Sequence, residues 1–140
     1  MTITPLYTSP LLHHALIELP ASLQFLLLPS RQLSHHTPHA HAIIRQYALL
    51  LFCSVLVALA LALSPPTTPI AQLLHGRLVC ALGLYHVGPV LRSGARVLEG
   101  WKRRGTGGWG GKEVEAGIYV VLHLIIGGRM FADGLRSLRV

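Results

Sequence analysis

From Tyr47 to Leu63 the chain reads YALLLFCSVLVALALAL, 17 residues without a charge. Cys53 and Ser54 are its only mildly polar side chains besides Tyr47 at its edge. At ~1.5 Å rise per residue, ~20 mostly apolar residues cross the ~30 Å hydrocarbon core of a bilayer. With Ala42 to Gln46 added, the run becomes a membrane-length helix, and Arg45 at its entry can reach the headgroups. A helix apolar on every side has no solvent face, so it demands either a large core or lipid.

A large core is out of reach. The chain has 140 residues, 51% hydrophobic and only 12% charged, against ~25% charged in ordinary soluble domains. So short a soluble chain cannot hide that much apolar surface. The fold class expected is all-α, a small polytopic membrane protein of about three transmembrane helices. An N-terminal interfacial segment and a basic amphipathic surface helix complete it.

The helices are expected at about 42–63, 70–91 and 114–134. Ser64-Pro65-Pro66-Thr67-Thr68-Pro69 ends the first, because three prolines cannot continue a helix. The second contains His75, Arg77, His86 and Pro89. The third has an uncharged core, Ala116 to Gly128, of only 13 residues. It crosses fully only if it continues past Arg129.

Residues 1–41 are expected as a polar and interfacial region with a His-rich linker. Pro20 divides the apolar stretch 11–29, since proline inside a helix costs ~3 kcal/mol. Ala21 to Leu28 is then expected to lie in the interface. A further span here is penalised by Glu18, His13, His14 and Pro20. The basic tail is 135–140.

The loop 92–113 holds six basic residues, Arg92, Arg96, Lys102, Arg103, Arg104 and Lys112, and the turn 64–69 holds none. The positive-inside rule places that loop and the N-terminus in the cytoplasm, or in the matrix of a mitochondrion. Endoplasmic reticulum and mitochondrial inner membrane are the expected compartments. Three spans put Arg129, Arg136 and Arg139 on the far side, against the rule. Within the loop, Arg92, Arg96, Trp101, Lys102, Arg103 and Arg104 form the expected lipid-surface site, an anchor to anionic headgroups. The net charge of +7 is read as this topology signal and not as a nucleic-acid surface, which needs a polar domain to present it.

The chemistry-bearing residues are the histidines. His75 and His86 lie eleven residues apart, which returns to nearly the same helix face. His123 falls at a depth similar to His86 on the neighbouring helix. Ionisable groups within a membrane are costly and often functional. A facing pair suits a proton relay or bis-histidine ligation of haem b, with His86, His123 and His75 as candidates. The plainer expectation is a neutral histidine hydrogen-bonded across helices, with no cofactor. The tract His35, His36, His39, His41 is read as solvated linker with no Cys or carboxylate to complete a metal site.

Gly105-x-Gly107-x-x-Gly110 matches a dinucleotide fingerprint in spacing only, because no strand precedes it. Cys53 and Cys80 form no CxxC and count as small apolar residues. The five acids, Glu18, Glu99, Glu113, Glu115 and Asp133, form no evident acid/base pair. The leading functional expectation is a non-catalytic accessory or assembly subunit, or a membrane organiser, acting through other membrane proteins or self-association. The alternatives are a haem- or proton-handling redox subunit and a small oligomeric transporter.

Overall fold

The computed structural model describes residues 9–32, 37–104 and 110–139. All regular structure among them is helical. The chain divides into two compact units, Met1–Pro65 and Pro66–Val140, with the divide in the Pro-rich turn.

The first unit is a helical hairpin. Helix α1 runs Pro10–Leu27 and α2 runs Pro38–Leu63, joined through a short 3₁₀ turn at Pro29–Gln32. Each helix opens on a proline, whose missing N–H would have had no helical acceptor there. The two run antiparallel. Phe25 meets Tyr47 with ring centroids 6.0 Å apart, and His14 reaches Ser54. Helix α2 buries Ala48, Leu51, Val55 and Ala58, a 3-and-4 spacing that keeps one stripe on the hairpin seam.

Pro20 does not break α1. The helix passes through it, and its ring sits on the exposed side. Packing along α2 outweighs the lost backbone bond. The expected interfacial stretch Ala21 to Leu28 is thus the second half of one continuous helix. Helix α2 also begins earlier than Ala42, which takes His39 and His41 out of the linker.

The second unit contains α3 (Pro69–Tyr85), α4 (Val87–Arg104) and α5 (Gly111–Ser137). Thr68 caps α3, its hydroxyl accepting from the Ala71 N–H at 3.1 Å. The helix expected over 70–91 ends at Tyr85, and α4 begins directly after His86. The cause is Pro89. In an unbroken helix its ring would meet the carbonyl of Tyr85 and its missing N–H would orphan it. Placing Pro89 in the first turn of a new helix removes both problems. The segment expected as a surface helix over 92–104 is the continuation of α4.

Helices α3 and α4 both run antiparallel to α5. Gly76 faces Gly134, Gly83 faces Gly127, His86 faces His123, and Gly100 packs against the Glu113 side chain. The interface is glycine-lined because the backbones nearly touch. A Cβ on Gly83 would stand 2.8 Å from the Phe131 nitrogen, and one on Gly134 would stand 2.7 Å from the Gly76 carbonyl. Small residues allow this approach, and it is the characteristic packing of helices in lipid.

Helices α2 and α5, of 26 and 27 residues, are long and apolar enough to cross a membrane. Most of the apolar surface on each is exposed. Leu49, Leu50, Phe52 and Leu56 on α2, and Ile118, Val121, Leu124 and Ile125 on α5, all face outward. The 27 residues of α5 exceed the uncharged core because the helix continues through Arg129. Near its end Asp133 is paired by Arg136 at 2.6 Å.

Candidate functional site

His86 is the junction between α3 and α4, and its own N–H bonds back to the Gly83 carbonyl at 3.2 Å. His123 sits in the middle of α5. Both side chains are buried, and their Nδ1 atoms are 2.8 Å apart. The rings are tilted by 44° with centroids 5.1 Å apart. Tyr119, one turn before His123, stacks on it at 6.3 Å, and Tyr85 meets His86 edge-on at 5.6 Å. Gly127 makes this possible. It lies one turn beyond His123, and a Cβ there would come within 2.7 Å of the His86 Cβ.

A 2.8 Å separation between two nitrogens is a hydrogen bond, so one Nδ1 donates and the other accepts. For two neutral rings this fixes opposite tautomers, one protonated on Nδ1 and one on Nε2. A single added proton is accommodated, since an imidazolium Nδ1–H still donates to its neighbour. A second is not, because two N–H groups would point at each other.

This geometry does not fit axial ligation of one haem. With metal–nitrogen bonds of about 2.0 Å, ligands on opposite sides of one iron stand about 4 Å apart with a flat macrocycle between them. The bonded nitrogens and the glycine contact beside them leave no such gap.

The third candidate, His75, is half-buried on α3, about 16 Å along the helix from His86 by its rise. It is not part of the pair. Arg92, Arg96, Trp101 and Lys102 are exposed along α4, and Arg103 and Arg104 close that helix. His39 is exposed and His41 buried at the start of α2, so those two histidines do not share one environment. His35, His36 and the residues 105–109 of the glycine pattern lie outside the described residues.

The hairpin holds a polar set of which His14 and Glu18 enter the sequence reading only as penalties on a further span. His14, Glu18 and Ser22 are all buried on α1, at spacings of four that align them on one face. The Ser54 hydroxyl donates to the Leu51 carbonyl at 2.7 Å and stands 3.2 Å from His14 Nε2. With its proton committed, the Ser54 oxygen accepts from the His14 Nε2–H. The i, i+4 spacing of His14 and Glu18 is visible in the sequence but counts there only as a penalty on a span, and the assumed break at Pro20 conceals that Ser22 continues their face.

No family model, curated protein or solved structure matches this chain.

Proposed function

We propose that this chain is a small integral membrane protein without catalysis of its own. In this reading it serves as an accessory or assembly subunit of a larger membrane complex, or organises the bilayer around it. The carrying observation is the distribution of apolar surface. The two longest helices bury only a narrow stripe and turn most of their Leu, Ile, Val and Phe side chains outward. The core helix of a soluble domain does the opposite, and so large an exposed apolar area marks a lipid or protein interaction surface.

At least three crossings follow in this reading. Helix α5 crosses, and the α3–α4 rod lies antiparallel beside it from Gly134 to Glu113, so it crosses too. Helix α2 is the remaining long span, and by the same reasoning α1, antiparallel along it from the Phe25–Tyr47 contact to the His14–Ser54 contact, enters the bilayer beside it. Broken helices are tolerated at depth where the break is buried in protein, as at His86. Extraction of membranes with alkaline carbonate tests the reading. The protein is expected in the pellet, and its release into the supernatant overturns the proposal. Crosslinking in intact membranes then identifies the partner, another membrane protein or a second copy.

One observation favours a second reading, proton handling at the His86–His123 pair. A helix break carrying a buried ionisable group near mid-span is where membrane proteins commonly place coupling sites. Proteoliposomes carrying an internal pH dye test it. A proton flux lost in both His86→Asn and His123→Asn supports this reading, and equal flux in wild type and variants removes it.

A further inference from the structure

Helix α4 has three sides. Gly100 meets α5, and Val90, Ser93 and Val97 share that less exposed side. Arg92, Arg96 and Glu99 form a charged side. The third side is apolar and uncovered. Leu91 is 68% exposed, Leu98 55% and Trp101 69%. Their spacings of seven and three put them on one face. Between Leu91 and Leu98 lies Gly94, where an added Cβ would meet nothing within 4 Å, so the face carries a shallow notch. Lys102 closes its upper end and is itself exposed. Apolar residues therefore lead along the helix into cations at its C-terminal end.

This is not the arrangement of a helix lying flat on a membrane. Helix α4 stands alongside α5, so its length samples depth. Its N-terminal half lies beside the uncharged core of α5, and Trp101 and Lys102, next to the contact of Gly100 with Glu113, lie level with the charged start of α5. Tryptophan is favoured at headgroup level, with its ring in the apolar zone and its N–H at the water boundary.

We propose that this outer face of α4 binds an anionic phospholipid. The acyl chain lies along Leu91, Gly94 and Leu98 beneath the Trp101 ring, and the headgroup phosphate meets Lys102. Charge complementarity selects this occupant. A neutral lipid satisfies the apolar face but leaves the Lys102 charge above it unanswered, whereas an anionic headgroup answers both. The inference rests on the membrane reading above and names the lipid class that it leaves open.

The test uses the full chain with Trp109→Phe, so that Trp101 is the sole tryptophan, reconstituted into bilayers of brominated phosphatidylglycerol or brominated phosphatidylcholine. Quenching of Trp101 is expected from both, with preferential quenching by the anionic lipid in mixtures. Lys102→Gln is expected to lower that preference about five-fold, the effect of one cation near the surface, and Arg96→Gln, on the other side of the helix, to lower it less. Equal quenching by the two lipids, unchanged by the substitutions, overturns the anionic-lipid site while leaving the membrane reading standing. No quenching by either lipid also overturns the anionic-lipid site and shows the face covered by protein, and the carbonate extraction then decides the membrane reading separately.

Discussion

The Nδ1 atoms of His86 and His123 stand 2.8 Å apart, and that distance admits one proton between them. The two histidines are therefore one titrating unit in place of two. In ¹⁵N spectra of histidine-labelled protein at neutral pH, the pair is expected to show opposite tautomers, one ring with Nδ1–H and one with Nε2–H. Two identical tautomers would contradict the bond. In a double-mutant cycle of His86→Phe and His123→Phe, the coupling energy is expected between about 0.5 and 3 kcal/mol, as for other buried contacting polar pairs. Additive effects would mean the bond contributes nothing.

The glycines beside the pair give a contrast within adjacent residues. A Cβ on Gly127 meets the His86 Cβ and the Gly83 carbonyl at 2.7 and 3.0 Å, and one on Gly128 meets nothing within 4 Å. Neither obstacle is the far end of a flexible side chain, so α3 and α5 must separate. Gly127→Ala is expected to destabilise the fold by about 1–3 kcal/mol, the usual cost of overpacking. Gly128→Ala is expected to gain up to about 1 kcal/mol, because alanine restricts the unfolded chain and suits a helix. Thermal unfolding in detergent measures both, and equal effects would refute the glycine-lined contact.

The sequence announced its helices more clearly than their ends. The run Tyr47 to Leu63 is helical as its apolar continuity required. That His86 and His123 could face each other was legible because both could be counted from the same charged loop. Prolines were the difficulty, since one residue type has two outcomes. Pro20 stays inside α1, where it faces outward and packing elsewhere on the helix holds the backbone. Pro89 divides α3 from α4, where shifting it into a first turn costs little. Only the surroundings decide between those outcomes, and local sequence does not contain them. Ser22 was not joined to His14 and Glu18 for the same reason, because it continues their face only if α1 is continuous.

Adjacent leucines separate lipid exposure from packing. Leu51 is 1% exposed and Leu50 69%. Leu51→Ala is expected to destabilise the hairpin by about 2–5 kcal/mol through the cavity it leaves, measured by unfolding in detergent. Leu50→Lys puts a charge on the outer face of α2. If that face meets lipid, membrane insertion is penalised by about 2.5–3.5 kcal/mol, and the carbonate-resistant fraction falls sharply. If it meets water, the same substitution is silent. Unaltered membrane retention of Leu50→Lys would therefore count against α2 as a span.

Ser54, one of the few polar side chains in the long apolar run, ties it to α1. Its hydroxyl donates to the Leu51 carbonyl and accepts from His14, which is fully buried. Two opposing terms set the effect of Ser54→Ala. Alanine gains up to about 0.7 kcal/mol in helix propensity. Removing the acceptor from a buried donor costs about 1–3 kcal/mol. The cost wins, and a net loss of about 1 kcal/mol is expected in detergent unfolding. Ser54→Thr keeps the oxygen, and Thr in a helix can make the same backward bond to a carbonyl of the preceding turn. The site is only half-buried, so the extra methyl has room, and Thr is expected to unfold within about 0.5 kcal/mol of wild type, the range of substitutions that disturb no packing. If Ala and Thr unfold alike, the hydroxyl is incidental. If Thr alone holds the wild-type value, the hydrogen bond to His14 helps fix the register of α1 on α2.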